Sequence, residues 1–163
     1  LDQIAKRHMV TTVAVWYEGA DRIIVVAKAN PPTNFSIHVD VGRRFPAYTS
    51  AIGYCLAANL ESNTENLRES IERFKWQNPL PFENWIRGVA FARECGYAVD
   101  NGHHIRGVTV IAAPVFSADS RTTRAIAGVG LCEQLTGVAM TALAEDLKSS
   151  AAKLSEPYSA PIV

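Results

Sequence analysis

The chain has 163 residues, of which 48% are hydrophobic and 20% charged, and its 16 basic and 16 acidic side chains give a formal net charge of zero. This balance is typical of one folded globular domain and excludes an intrinsically disordered chain. A neutral chain also argues against nucleic-acid binding through bulk charge, because phosphate neutralisation requires a cationic surface.

The cysteines and the hydrophobic runs argue against a secreted or membrane-spanning protein. Cys55, Cys95 and Cys132 are an odd number without a CxxC pair, which indicates neither a disulfide framework nor a zinc ribbon. We therefore expect a reducing, cytoplasmic setting. No uncharged apolar run approaches the ~18 residues of a membrane span. Because the chain begins at Leu1 rather than Met, we expect it to be part of a longer protein.

The first third of the chain predicts the end of a helix followed by three strands. Residues 1–8 have the pattern of a helix end, and the alternation that begins at Val10 predicts a strand. Residues 22–29 form a second β-rich run, which is expected to pair with the first as a hairpin. After Pro31-Pro32, a third strand with one apolar side is expected over residues 35–40, where Phe35, Ile37 and Val39 alternate with polar residues.

The middle of the chain predicts a loop and three helices. Residues 41–46 are expected to be a loop, because Pro46 argues against a continuous strand. The first helix is predicted from Thr49 or Ser50 to Leu60. Two further helices are predicted over residues 62–75 and 83–94, and Gly96 is expected to end the last of these.

A second group of strands and a long helix complete the chain. A short strand is predicted over residues 97–100, and the continuous apolar run 108–116 predicts a central buried strand. Residues 123–131 are expected to pair with it after a polar turn, and the apolar spacing from Leu135 to Leu154 predicts the last helix. Two antiparallel groups of strands indicate a single α+β domain over residues 1–163, with helices packed on the faces of a central antiparallel sheet.

No catalytic motif stands out among the reactive side chains. Cys132 is expected at the start of the last helix, where a thiol pKa can be lowered, but spacing pairs no thiol with a histidine base. Cys95, Asp100 and one of His103 and His104 could form a metal site. The alternative is a loop with one exposed and one hydrogen-bonded imidazole.

Three other features have both a functional and a structural interpretation. The pair Gly128 and Gly130 lacks the third glycine of a dinucleotide fingerprint, which favours close backbone packing. Arg43 and Arg44 could attract an anion or be a solvated loop pair. If Asp100 faces inward, it needs a ligand hydroxyl or a backbone N–H as a partner, whereas an exposed turn-capping role is equally compatible with the pattern.

Three segments, in order and at matching spacing, carry a family resemblance. Residues 41–57 have a V-G loop, then Pro46, then a T-S-A-I-G-x-C-L-A helix start. Residues 93–116 contain R-E-C-G-Y-A-V-D followed by G-V-T-V-I-A-A-P-V-F, and residues 125–127 precede a C-terminal helix. Across essentially the whole chain, this pattern resembles the IclR family of bacterial transcriptional regulators.

The resemblance implies the domain organisation and the partners of the protein. Family members have an N-terminal winged helix-turn-helix domain, absent from this chain, and a C-terminal effector-binding domain with a GAF/PAS-like fold, to which this chain would correspond. The resemblance also implies self-association into dimers or tetramers and ligands that are small organic or aromatic acids. DNA would be bound only through the N-terminal domain, and neither a membrane, a cofactor nor a metal is expected.

Carried over position by position, the resemblance implies a ligand pocket between the sheet and the helix that begins near Thr49. Its walls would be Ile37, Phe45, Ala51 and Ile52, and Asp100 would accept a hydrogen bond from the ligand. The N–H groups at the helix start could hold a carboxylate. The floor would be formed by four residues of two strands: Val108, Val110, Ala127 and Val129.

The sequence departs from the family pattern at this floor. Members that bind very small keto acids have cysteine or serine donors near Val110, Ala127 and Val129, which are apolar here, and His103 replaces a frequent acidic residue. We therefore expect a longer or partly apolar acid.

The sequence thus predicts a sensor domain, not an enzyme, whose effector modulates oligomerisation and operator binding. Two alternatives stay open: a GAF-like redox enzyme that uses Cys55, Cys95 or Cys132, and a ligand-free dimerisation module.

Overall fold

Five helices and six strands are formed by residues 1–19, 21–59, 64–117 and 122–155, which this computed structural model describes. The helices are α1 (Asp2–His8), α2 (Ser50–Asn59), α3 (Thr64–Arg73), α4 (Phe82–Cys95) and α5 (Gly137–Leu154). The strands are β1 (Thr11–Gly19), β2 (Arg22–Ala29), β3 (Arg44–Pro46), β4 (Ala98–Asn101), β5 (Val108–Phe116) and β6 (Thr122–Leu131). They pair antiparallel in the order β3-β2-β1-β6-β5-β4, which confirms the predicted α+β architecture.

The two faces of the sheet carry separate apolar clusters, because successive strand residues point to opposite faces. On one face, Ile111, Ala113 and Val115 of β5 belong to the cluster packed by α1 and α5. On the other face, Val110 and Ala112 belong to the cluster packed by α2, with α4 against α2. The predicted buried strand Val108–Phe116 is confirmed, and its unbroken apolar run reflects burial on both faces.

Helix α2 packs mainly over β4, β5 and β6 and is held there by close contacts. An added Cβ at Gly53 would lie 2.3 Å from the carbonyl carbon of Tyr48, so the two backbones touch. The indole N–H of Trp85 in α4 donates to the carbonyl of Tyr48 at 3.0 Å. The thiol of Cys55 donates to the carbonyl of Ala112 in β5 at 3.4 Å. These contacts fix where the first turn of α2 lies on the sheet.

The predicted third strand over residues 35–40 is wrong. These residues pair with no strand among the described residues, and the chain returns to the sheet only near Gly42, whose N–H donates to the carbonyl of Val25 at 2.7 Å. The strand β3 forms instead inside the predicted loop, with Arg22 opposite Pro46. Pro46 is tolerated because β3 is the edge strand, where a missing N–H costs no ladder bond.

Most other element boundaries agree with the sequence to within three residues. Gly96 ends α4 with φ 74°, as predicted. The placement of Cys132 at the start of the last helix is wrong, because α5 begins at Gly137. The predicted end of the first central helix at Leu60 and most of the polar turn after Phe116 lie outside the described residues. Within the described ranges, no helix has the length and apolar character needed to cross a bilayer.

Replacement of Gly53 by Ala is expected to lower the free energy of unfolding by about 2 kcal/mol or more, because the new Cβ would overlap the Tyr48 backbone. The melting temperature, followed by circular dichroism, should fall by about 4–8 °C. Gly88→Ala in α4 is the matched control. Its Cβ would meet side-chain atoms of Tyr54 at 3.1 Å rather than backbone at 2.3 Å, and the better helix propensity of Ala offsets part of that contact. Equal melting of Gly53→Ala and wild type would contradict the close approach.

Candidate functional site

A cavity of about 320 Å³ lies between the sheet, the start of α2 and the irregular segment that precedes β3. Its floor consists of aliphatic side chains from four strands, namely Val13, Val15, Ile23, Val25, Val110 and Val129. They share one face because they occupy alternate strand positions, and the register sets Val15 opposite Val25 and Val110 opposite Val129.

The cavity exists because this face of the sheet is wider than the helix that covers it. With α2 mainly over β4, β5 and β6, the β1–β2 half is covered by residues 35–43. That segment is tied to the sheet where the Thr11 hydroxyl donates to the Ile37 carbonyl at 2.9 Å. Ile37 and Val39 turn inward and are half-buried, whereas the residues between and beside them are exposed. The segment therefore covers the floor with an apolar inner side.

The first turn of α2 forms one wall of the cavity. Thr49 and Ser50 line it, and the Thr49 hydroxyl donates to the carbonyl of Pro46 at 2.9 Å. Ser50 has a left-handed backbone with φ 58°, a strained conformation of the kind that recurs at functional sites. The first N–H groups of a helix lack intrahelical partners, and the helix dipole makes that end favourable for an anion.

Charged side chains line the rim of the cavity. Asp40 lies 2.8 Å from Nε2 of His38 and 3.9 Å from Nζ of Lys28. Arg43 also lines the cavity, and its guanidinium lies 5.7 Å from the ring centroid of Phe45. The adjacent Arg44 points elsewhere and forms a two-point ion pair with Glu18. The two arginines, which the sequence does not distinguish, therefore differ: Arg43 lines the cavity and Arg44 is paired with Glu18.

The imidazole of His104 also lines the cavity and packs against Phe74, with ring centroids 5.4 Å apart. Its Nδ1 is buried, and no hydrogen-bond partner for that atom occurs in the described part of the chain. Burial lowers the pKa of His104, against the smaller opposing effect of the Asp100 charge, so the ring is neutral at pH 7. A neutral imidazole nitrogen can exchange one hydrogen bond with a bound molecule.

Asp100 is buried beside the cavity rather than in its wall. Its carboxylate accepts hydrogen bonds from the backbone N–H groups of His103 and His104, both at 3.1 Å. Burial is the larger effect and raises the pKa of Asp100, while these two N–H groups lower it. Asp100 therefore fixes the turn that places His104 at the cavity. Of the two alternatives that the sequence left open for Asp100, this is the inward-facing one, with backbone N–H groups as its partners.

Comparison with known proteins decides the family. The sequence profile of the C-terminal region of bacterial transcriptional regulators of the IclR type matches residues 1–156. The chain belongs to the IclR family. XynR of Escherichia coli, an HTH-type transcriptional regulator, is 28% identical over 126 residues, which are 74% of this chain and 49% of XynR. The HTH-type regulator RhmR of the same organism is 29% identical over 110 residues, 64% of this chain and 42% of RhmR. The chain thus spans about half the length of these relatives.

Solved IclR-type structures have the same fold. The IclR regulator of Alicyclobacillus acidocaldarius superposes with a TM-score of 0.82 at 29% identity, covering 94% of this chain and 63% of that one. Thermotoga maritima IclR gives a TM-score of 0.77 at 18% identity, over 94% of this chain and 64% of that one. The Agobacterium tumefaciens repressor BlcR gives 0.74 at 22% identity, over 94% and 61% respectively. At these lower identities the likeness shows the fold alone. The predicted family and fold are both confirmed.

The structure brings six of the nine pocket residues carried over from the IclR resemblance to one cavity: Ile37, Phe45, Ile52, Val108, Val110 and Val129. It does not bring Ala51, Asp100 or Ala127 there. Ala51 is fully buried in the apolar cluster beneath α2 rather than in the cavity wall. Ala127 lies opposite Ala112, the residue whose carbonyl receives the Cys55 thiol, and is therefore covered by α2.

Several cavity residues are missing from the sequence-based site. The β1 and β2 contributions, Val13, Val15, Ile23 and Val25, show an apolar alternation in the sequence, but that pattern does not say which apolar face stays uncovered. His104 has no sequence signal that separates it from His103. Its role depends on a turn held by Asp100.

The alternative chemistries find little support in the geometry. Among the described residues, no three His, Cys, Asp or Glu side chains are grouped so that they could hold a metal ion, so Cys95, Asp100 and the histidines do not converge. Burial raises the pKa of the Cys55 thiol, which keeps it protonated. Cys132 accepts a hydrogen bond from the Thr109 hydroxyl at 3.3 Å. The relatives found are transcriptional regulators rather than enzymes.

The free energy of unfolding of Asp100→Asn is expected to fall further below that of wild type as the pH falls. Because burial raises the folded-state pKa of Asp100, this carboxyl binds more protons in the folded than in the unfolded state, so its contribution to the stability of wild type becomes more favourable on acidification. The Asn variant cannot titrate there, and loss of the Asp100 charge lowers the pKa of His104 further, which adds to the difference.

In urea titrations, the free energy of unfolding of wild type minus that of Asp100→Asn should therefore increase between about pH 7 and pH 4. A difference that is constant, or that narrows with acidification, would contradict a folded-state pKa of Asp100 that burial raises.

Proposed function

We propose that this chain is the effector-sensing domain of an IclR-type transcriptional regulator and that it binds a small organic or aromatic acid in the cavity floored by β1, β2, β5 and β6. The cavity itself carries the proposal. At about 320 Å³ it exceeds the voids that close-packed protein interiors leave, and it falls within the range of ligand pockets. Its wall is mostly apolar with a few polar groups, which is the usual composition of such a site.

The fold connects the cavity to the start of the chain. β1 contributes Val13 and Val15 to the floor, and the hydroxyl of Thr12, between them and α1, donates to the carbonyl of Leu1 at 3.2 Å. Asp146 of α5 binds both Arg7, at 2.9 Å, and His8, at 2.7 Å. A ligand that shifts β1 would therefore act on α1, and on any domain joined to it.

In the full protein, an N-terminal winged helix-turn-helix domain joined to α1 would bind DNA. The support is that the HTH-type relatives XynR and RhmR are about twice as long as the matched region. The effector would change assembly into dimers or tetramers, or the orientation of the DNA-binding domains. It can do so only through a difference in its affinity for the two states.

A thermal-shift screen of small organic and aromatic acids tests this function. A binding acid at 100 times its Kd stabilises the fold by about 2.7 kcal/mol, which for a domain of this size raises the melting temperature by about 5–10 °C. Val25→Phe fills the cavity floor and should abolish that shift, while its own melting temperature stays within a few degrees of wild type.

Val26→Phe is the matched control, because Val26 is the next residue of β2, is 46% exposed and does not line the cavity. It should keep the full ligand-induced shift. An equal ligand-induced rise in melting temperature in both variants would mean that the acid binds outside this cavity. No rise with any acid would favour the ligand-free dimerisation module.

A further inference from the structure

Arg43 is a charged residue of the cavity wall without an acidic partner. No carboxylate among the described residues forms an ion pair with its guanidinium, which instead lies 5.7 Å from the ring centroid of Phe45, another wall residue. Arg44 is one residue away and is fully engaged, with its Nε and Nη2 at 2.8 Å and 3.0 Å from the carboxylate of Glu18. Arg43 therefore keeps its charge-assisted donors available at the cavity.

The backbone of Arg43 is fixed by the floor of the cavity. The N–H of Val25 donates to the carbonyl of Arg43 at 3.0 Å, and the N–H of Gly42 donates to the carbonyl of Val25 at 2.7 Å. Val25 is itself a floor residue. The backbone of this exposed arginine is therefore fixed at the cavity wall. A planar guanidinium is suited to bind a carboxylate through two parallel hydrogen bonds.

The charges around the cavity leave one positive charge in excess. Asp40 contributes one negative charge, which Lys28 offsets at 3.9 Å, and the exposed His38 also contacts Asp40 at 2.8 Å. His104 is neutral because burial lowers its pKa. Lys28 and Asp40 offset each other, so Arg43 is the wall cation that has no carboxylate partner among the described residues. A bound monoanion would complete the balance, whereas a second carboxylate would face Asp40 or the aliphatic floor.

The rest of the wall restricts the body of the ligand. The floor is aliphatic, so a ligand with more hydroxyls than Thr49, Ser50 and His104 can satisfy would leave polar groups unpaired, each at a cost of about tenfold in affinity. Space favours a ring with a short chain, since a cavity of about 150 Å³ already holds benzene and this one is about twice that volume.

We propose that Arg43 binds the carboxylate of the effector and that the effector is a monocarboxylate with an apolar body, such as an arylalkanoic or medium-chain acid. Its charged end would lie at the rim and its apolar end on the valine floor. This inference rests on the proposed function and adds the residue that recognises the charge, the orientation of the ligand and its chemical class.

Isothermal titration of matched probes tests the inference. The monocarboxylate probes are 3-phenylpropionate and heptanoate, and the neutral isostere is 3-phenylpropanamide. Phenylsuccinate supplies a second carboxylate, and gluconate supplies a hydroxyl-rich body. Each is titrated into wild type, Arg43→Ala, Arg43→Lys and Arg44→Ala. Arg44→Ala is the matched control because it removes the same charge one residue away.

Wild type should bind at least one of the two monocarboxylates, and 3-phenylpropionate about tenfold or more tighter than its amide. Arg43→Ala should weaken the acid about tenfold and leave the amide unchanged, so that the acid-to-amide ratio approaches one. Arg43→Lys should recover part of the ratio, since it keeps the charge without the planar fork. Arg44→Ala should keep the ratio of wild type.

An unchanged acid-to-amide ratio in Arg43→Ala would overturn the inference and assign the charge recognition to the N–H groups at the start of α2. Tighter binding of gluconate or phenylsuccinate than of both monocarboxylates would overturn the chemical class. In both cases the proposed function would stand, provided that Val25→Phe blocks the binding observed. Failure of every probe, gluconate included, to bind wild type would count against the proposed function itself.

Discussion

The position of α2 over one half of a wide sheet is the constraint on which the cavity depends. The bare Cα of Gly53 lets the helix touch the backbone at Tyr48, and the indole of Trp85 ties that same carbonyl to α4. Cys55 joins the helix to β5. With the helix fixed there, the facing surface of β1 and β2 is covered by the irregular segment 35–43, and a cavity of about 320 Å³ remains between them. A hollow lined by valine follows from this geometry.

In the proposed ligand site, the floor and the edge of the cavity would contribute differently to recognition. Aliphatic side chains supply affinity in proportion to the apolar area that they bury, but they discriminate weakly between ligands that differ by a methylene group. Direction and charge would depend on the polar residues of the wall, which among the described residues are His38, Asp40, Arg43, Thr49, Ser50 and His104. The backbone at Arg43 is held by Val25, and the turn that contains His104 is held by Asp100, so these parts of the edge are ordered before any ligand arrives. Preorganisation of this kind reduces the ordering cost of binding.

The sequence predicts the helices and most strands well, because long amphipathic or fully apolar runs have few alternatives. Val108–Phe116 agrees at both ends for this reason. In residues 35–40 the alternation correctly predicts that Ile37 and Val39 face inward. Alternation alone does not distinguish a paired strand from an unpaired extended segment, because pairing depends on which sheet edge is free. The same limit explains Ala127, which has the correct face yet lies under α2. His104 and the difference between Arg43 and Arg44 depend on contacts across the fold that no local pattern records.

Methyl NMR with an aromatic acid as the probe tests the central claim most directly, because the ring current of a bound aromatic group shifts nearby methyl resonances. The valine methyls on the α2 face, those of Val13, Val25, Val110 and Val129, should shift together on titration. Methyls of Ile111 and Val115, on the α5 face of the same strand β5, should stay unchanged. Shifts on the α5 face without shifts at Val25 and Val110 would contradict an effector site in this cavity.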